Sequence, residues 1–136
     1  MNNKYLSKII ATDNEGLQII SAYCAGAEIK ISDIKYLQKN KVFLLSLKRS
    51  KIETENKDKQ VHSVCKFEFV DNVKSKNIKQ TDPTKKIELL TMSYLKNNNN
   101  YEINLIFANN ACITLSTEII EVTLDDQYQI TKWLKY

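Results

Sequence analysis

The chain has 136 residues, a formal net charge of +4 and only two glycines, Gly16 and Gly26. This length suggests one domain, residues 1–136, with a single core. Loops that cradle phosphates need closely spaced glycines, so the scarcity of glycine excludes the dinucleotide-binding and nucleotide-binding loops.

The first predicted elements are a strand over residues 4–11 and a helix over residues 14–25, which has apolar residues at helical spacing. Thr12 or Asp13 can cap the helix, and Thr12 with Glu15 matches a capping box. Gly26 stands where a left-handed helix cap is expected.

Most of the remaining chain alternates between apolar and polar residues, which is typical of half-buried strands. Residues 71–78 are expected either to continue the strand over residues 61–70 or to form a new pairing after it. Asn109 and Asn110 tolerate positive φ and predict a tight hairpin turn. The predicted strands cover residues 28–37, 42–50, 61–70, 87–95, 101–107, 111–115 and 117–126.

The connections between these strands are too short for helical crossovers, which implies antiparallel pairing. We expect an α+β protein with a mostly antiparallel, strongly bent β-sheet or partly open barrel of about seven strands. One helix lies near the N-terminus and a short helix at the C-terminus. Asp125 or Asp126 would cap the second helix, and Ile130, Trp133 and Leu134 would form its apolar side.

Three widely spaced cysteines, Cys24, Cys65 and Cys112, form no CxxC pair. This pattern is typical of reduced, buried thiols in a cytosolic protein. The first residues lack the apolar core of a secretory signal, and no window approaches the ~20 apolar residues of a membrane helix. We therefore expect a cytoplasmic protein.

The segments DNEGLQIISAYCAGAEIKISDIKYLQKNKVFLLSLKR, IELLTMSY and INLIFANNACITLSTEIIEVTLDD resemble, in order, a small alphaproteobacterial family, domain of unknown function 2948. The resemblance covers most of the chain. It implies one cytoplasmic domain and a bacterial origin, and no activity. The matching positions are Ser21-Ala22, Tyr36-Leu37, Phe43, Arg49, Leu89-Leu90, Phe107-Ala108, Leu115, Glu118, Glu121, Leu124 and Asp126.

The chain departs from the family pattern at several positions. Ala25-Gly26 replaces a usual Gln-Asp pair, Ser50 replaces an aromatic residue, and Asn109 and Asn110 replace turn glycines. The final residues, QYQITKWLKY, lack the family's tryptophan and proline pattern. Any function of the family at these positions would be weakened here.

Acid–base and metal chemistry have little support in the sequence. His62 is the only histidine, and Cys65 follows it by three positions. On a strand this spacing places the two side chains on opposite faces, so they cannot pair as base and nucleophile or share a metal. Two ligands are also too few for a closed zinc site. We predict no catalytic, cofactor-binding or metal-binding residues, and no enzyme activity.

Four polar positions shared with the family are candidate site residues: Arg49, Glu118, Glu121 and Asp126. Arg49 can clamp a carboxylate or phosphate, or form an internal bridge with Glu118 or Glu121, and the bridge is favoured. Glu118 and Glu121 face opposite sides if their segment is a strand. If it bends, they can meet and suit a carboxylate pair or a magnesium ion.

The most basic segment is VKSKNIKQTDPTKK, with candidate patch residues Lys74, Lys76, Lys79, Lys85 and Lys86. Lysines attract nucleic acid without sequence specificity, but the segment has no aromatic residue for stacking on bases. Two functions remain. The favoured one is a protein-interaction module without enzymatic activity, and the alternative is weak binding to RNA or a ribonucleoprotein through residues 74–86. We expect no cofactor and an unidentified protein partner.

Overall fold

A computed structural model describes residues 6–53 and 60–127 of the chain. It contains one α-helix, α1 (Asn14–Cys24), and a single antiparallel sheet. No helix in these ranges is long and apolar enough to cross a membrane. The strands are β1 (Lys8–Ala11), β2 (Glu28–Lys30), β3 (Ile34–Leu37), β4 (Val42–Ser50), β5 (Gln60–Phe67), β6 (Val70–Lys76), β7 (Lys86–Asn97), β8 (Asn100–Phe107), β9 (Ala111–Thr117) and β10 (Val122–Gln127).

Helix α1 confirms the prediction for this segment, although it ends one residue earlier than expected. Its cap is Asp13, whose Oδ1 accepts a 2.8 Å hydrogen bond from the amide of Gly16. The expected capping box of Thr12 and Glu15 is therefore wrong. Gly26 has φ +84°, so the predicted left-handed cap is confirmed.

The sheet has ten strands within the described residues, and the estimate of about seven was too low. Its order is β1-β10-β5-β4-β2-β7-β8-β9-β6, and β3 also pairs with β4. The predicted strand over residues 28–37 is split by a 3-10 turn, Ile31–Asp33. Its first part, β2, bridges β4 and β7, whereas β3 pairs with β4 alone. The sequence does not reveal such a change of partner.

The sheet curls toward itself without closing into a barrel. Strands β5 and β6 stand far apart in the strand order, yet only Glu68 and Phe69 connect them. Such a short link requires the two halves of the sheet to approach each other at this corner. The amide of Val70 donates to the carbonyl of Lys41, and the Tyr36 hydroxyl donates to the carbonyl of Val70. These bonds fix the corner against β3 and β4.

The concave side of the sheet holds the core, which α1 covers through Leu17, Ile20 and Cys24. The hairpin of β8 and β9 turns at Asn109 and Asn110, whose φ angles of 65° and 61° confirm the predicted turn. The apolar residues that alternate along this hairpin enter the core. They are Ile103, Leu105, Phe107, Ala111, Ile113 and Leu115.

The predicted end of the chain needs correction. Asp125 and Asp126 lie within β10, paired with β1 and β5, so neither caps a helix. The other residues assigned to a C-terminal helix, Ile130, Trp133 and Leu134, lie outside the described residues. Strand β10 ends at Gln127, one residue beyond the predicted end at residue 126.

Candidate functional site

The four candidate polar positions fall at opposite ends of β10. Arg49 and Asp126 lie near its last residues, in a group of buried charges. Glu118 and Glu121 lie just before its first residue, in the link from β9. We call these regions the Arg49 cluster and the Phe69 junction, and define each below.

The Arg49 cluster comprises Arg49, Glu53, Ser63, Asp126 and Ser7. The Arg49 guanidinium binds two carboxylates, each through two hydrogen bonds. Its Nη1 and Nη2 lie 3.0 and 2.6 Å from the Glu53 oxygens, and its Nη2 and Nε lie 2.8 and 3.2 Å from the Asp126 oxygens. Such two-point pairing matches the planar fork of arginine.

No donor of Arg49 remains for an external ligand. Nη1 also donates to the carbonyl of Ser50, Nε also lies 3.3 Å from the Ser63 hydroxyl, and the residue is only 1% exposed. The clamp for an external carboxylate or phosphate is therefore contradicted. The expected internal bridge is present, but its partners are Glu53 and Asp126, and the expected partners Glu118 and Glu121 were wrong.

Neighbouring groups hold the two carboxylates in place. The Ser63 hydroxyl donates to Asp126 Oδ1 at 2.6 Å, and the backbone amide of Ser7 donates to Asp126 Oδ2 at 2.9 Å. The Ser7 hydroxyl donates to Glu53 at 2.8 Å. The ring of Tyr23, on α1, lies 5.1 Å from the Arg49 guanidinium carbon, within cation–π range. The cluster thus fastens β1, β4, β5, β10 and α1 together.

The cluster perturbs the acidity of its members. Burial tends to raise the pKa of Glu53, but hydrogen bonds from Arg49, its own backbone and Ser7 prevail and lower this pKa from 4.5 to about 2. Burial likewise opposes the charged form of Arg49, and the two carboxylates overcome this effect and raise its pKa. Both groups are therefore charged at neutral pH.

Sequence reasoning identified Arg49 and Asp126 through the family resemblance and missed Glu53, Ser63 and Ser7. Glu53 follows Arg49 by four positions, but this spacing signals a contact only on a helix. Arg49 lies in a strand, and the chain turns back only after Ser50. No sequence pattern indicates that contact.

The Phe69 junction comprises Lys41, residues 66–71 and residues 118–121. Two links that join the halves of the sheet run side by side here, from β5 to β6 and from β9 to β10. The amide of Glu68 donates to the carbonyl of Glu121 at 3.0 Å, and the amide of Glu118 donates to the carbonyl of Phe69 at 3.4 Å. The sheet topology therefore brings together segments about 50 residues apart.

Phe69 has an uncommon backbone conformation and an exposed side chain. Its φ angle is 58°, in the left-handed region, and it is 41% exposed. The alternation within the predicted strand 61–70 places Phe69 on the same core face as Cys65 and Phe67, and this expectation is wrong. The left-handed corner turns its side chain outward, while Val70 is buried. Ile119, in the neighbouring link, is 45% exposed and precedes the buried Ile120.

The junction is acidic within a basic chain. It holds four carboxylates, those of Glu68, Asp71, Glu118 and Glu121, and two ammonium groups, for a formal charge of −2. Lys41 Nζ lies 3.0 Å from Asp71 and 3.6 Å from Glu118, while Lys66 pairs with Glu68 at 3.0 Å. The hydrogen bond that Lys41 donates to Asp71 is the main cause that raises the pKa of Lys41. Carboxylates therefore outnumber ammonium groups in the segments that carry the exposed Phe69 and Ile119.

The lysines of the predicted basic patch are all exposed, but they lie on different elements. Lys74 and Lys76 lie on β6, which is an edge strand of the sheet, where lysines commonly prevent pairing with other chains. Lys79 and Lys85 lie in the link that follows. Lys86 opens β7, directly opposite Lys30 of β2. The sequence did not predict that Lys86 lies opposite Lys30.

The pair His62 and Cys65 lies on opposite sides of β5, as the spacing predicted. His62 contacts the Ser46 hydroxyl at 2.8 Å, and Cys65 is fully buried. Contact with Cys24 and burial raise the pKa of the Cys65 thiol, which disfavours the thiolate needed of a nucleophile. Within residues 6–53 and 60–127, no three His, Cys, Asp or Glu side chains are placed to hold a metal ion.

The fold defines an α+β protein in which a curled antiparallel sheet carries one helix. Residues 7–133 match the family described as protein of unknown function DUF2948, and the chain belongs to that family. The resemblance noted in the sequence is thereby confirmed, whereas the alphaproteobacterial origin stays a prediction. No curated protein and no solved structure matches the chain.

Proposed function

We propose that this protein is an interaction module without enzymatic activity, which binds an apolar, basic segment of a partner protein at the Phe69 junction. The observation that carries the proposal is Phe69, an exposed aromatic residue in a left-handed backbone conformation. A cytoplasmic location remains part of the proposal.

The conformation of Phe69 is costly for an aromatic residue. The left-handed region disfavours side chains with a Cβ by about 1–2 kcal/mol. Asparagine, which tolerates this region, occupies four of the other non-glycine positions with positive φ, and Lys41 is the fifth. If the corner needed only a turn, Asn or Gly would suit it better. The aromatic group at this corner therefore indicates a role for its exposed surface.

The chemistry of the partner follows from the surroundings of Phe69. Phe69 and Ile119 provide apolar surface, and aromatic anchors dominate many protein interfaces. The carboxylates outnumber the lysines around them, so complementary charge favours a segment with Lys or Arg beside apolar side chains. The RNA alternative, which uses residues 74–86, has less support, because the exposed lysines of that range lie on several elements.

The proposal can be tested by titrating the labelled protein with a synthetic peptide that alternates lysine with leucine, and following backbone amide resonances. We expect shifts concentrated at residues 66–71 and 118–121, and loss of binding in Phe69→Asn. Leu95→Asn is the matched control, because Leu95 is 57% exposed on β7, outside the junction. A peptide with glutamate in place of lysine should bind much more weakly.

The proposal fails if both peptides bind equally well, or if Phe69→Asn binds as the wild type does. It also fails if single-stranded RNA shifts the amides of residues 74–86 while the lysine peptide shifts nothing. Affinity capture from a lysate, with wild type and Phe69→Asn compared at low and moderate salt and with nuclease, would then identify the natural partner.

A further inference from the structure

We propose that residues 128–136 of a second copy of this chain occupy the Phe69 junction. The inference rests on the proposed function, because it names one occupant of the same surface. It also implies regulation, since a self-bound junction is closed to other partners.

The first support is the chemistry of the segment YQITKWLKY. It contains Lys132 and Lys135 and no carboxylate side chain, and it holds Trp133, the only tryptophan of the chain. Apart from Gln129 and Thr131, the remaining side chains are apolar or aromatic. This combination is the complement of the junction, where exposed Phe69 and Ile119 lie among four carboxylates.

The second support is the position from which the segment departs. Strand β10 begins one residue after Glu121, beside the junction, and ends at Gln127, opposite His62. The five steps from Val122 to Gln127 advance about 17 Å. The six steps from Gln127 to Trp133 span about 20 Å when extended, which leaves only about 3 Å for a reversal of direction within the same chain. A second copy supplies the segment without this constraint.

Reciprocal exchange gives a closed assembly. If each chain inserts its residues 128–136 into the junction of the other, the two contacts are related by a two-fold axis and both junctions are filled. A partner with the same chemistry then competes with the second copy, so its binding separates the dimer. The concentration of the protein thereby sets the fraction of open junctions.

Trp133 provides a direct test, because it is the only tryptophan in the chain. Its emission and the sedimentation of the full chain are followed through a dilution series. We expect a dimer with short-wavelength emission at high concentration, and a monomer with emission at longer wavelength on dilution. Phe69→Asn and Lys132→Glu/Lys135→Glu should be monomeric throughout, and Leu95→Asn should behave as the wild type. The lysine–leucine peptide, which lacks tryptophan, should displace Trp133.

The inference is overturned if the full chain stays monomeric, if its emission is independent of concentration, or if Phe69→Asn dimerises as the wild type does. If such a chain nevertheless binds the lysine–leucine peptide at residues 66–71 and 118–121, the proposed function stands and only the self-association falls. If neither the peptide nor the second copy occupies the junction, both are rejected.

Discussion

The Arg49 cluster and the Phe69 junction use the same residue types with opposite results. In the cluster, the Arg49 guanidinium and the Asp126 carboxylate are buried and Glu53 is half-buried, and each finds its partners within the chain. At the junction, Asp71, Glu118 and Glu68 pair with two lysines on the surface, in the segments beside an exposed Phe69. Polar positions that are shared with the family therefore need not belong to one site. Burial and the number of internal partners separate a structural group from a surface available for binding.

The largest expected effect is that of removing Arg49. Arg49→Met leaves Glu53 and Asp126 near each other without their counter-charge, and breaking a buried ion pair in this way costs about 3–5 kcal/mol. Urea unfolding monitored by circular dichroism measures the loss. The triple variant Arg49→Met, Glu53→Met, Asp126→Leu, which removes all three charges, should recover much of it. A loss below about 1 kcal/mol for the single variant would contradict a structural role.

A smaller effect is expected from Glu53→Gln, which removes one of the two carboxylates. Hydrogen bonds to charged groups contribute about 1.5–3 kcal/mol, so the variant should be less stable at pH 7 by about that amount. The folded-state pKa of Glu53 is depressed to about 2 from an ordinary 4.5. The stabilisation is therefore complete above about pH 4.5 and is lost as the pH falls toward 2.

Urea midpoints of the wild type and Glu53→Gln between pH 7 and pH 3 measure this dependence. The two proteins should become more alike as the pH falls, because Glu53 becomes protonated in the unfolded wild type first. A difference between them that stays constant over this range would show that Arg49 does not control the acidity of Glu53.

Substitutions of Phe69 should abolish peptide binding and keep the fold, whereas substitutions in the Arg49 cluster should reduce stability. Phe69→Asn should be more stable than Phe69→Ala by about 1 kcal/mol, because asparagine tolerates the left-handed region better than alanine. Both variants should lose peptide binding, although Phe69→Asn keeps the fold. Thermal unfolding and peptide titration of the two variants check this separation. Equal stability of the two variants would contradict the left-handed corner.

The smallest change in stability is expected from Asp71→Asn and Glu118→Gln. Their carboxylates pair with Lys41 on the surface, where ion pairs contribute little. The same variants should nevertheless weaken binding of the lysine–leucine peptide and flatten its dependence on salt. Titrations at low and moderate salt measure this. Unchanged affinity at low salt would remove the carboxylates from the binding surface.

Local patterns predicted much of the fold. The helical spacing of Leu17, Ile20 and Cys24 placed α1 within one residue, and Asn109-Asn110 placed the turn of the β8–β9 hairpin. Both signals act between near neighbours, through periodic burial and through the φ angles that a residue tolerates. These local signals did not predict the change of strand partner at Ile31–Asp33. They also did not predict that Phe69 leaves the alternation.

The candidate sites were predictable only in part, because their contacts join distant segments. The order of residues alone establishes that Arg49 is the only arginine and that His62 and Cys65 cannot cooperate on a strand, and its alternation predicts a half-buried hairpin of β8 and β9. The folded chain is needed to show that Arg49 binds Glu53 and Asp126, and that the link with Glu118 and Glu121 runs beside an exposed Phe69. Periodicity reports which face of a strand is buried, but the pairing of ten strands decides which charges share that interior.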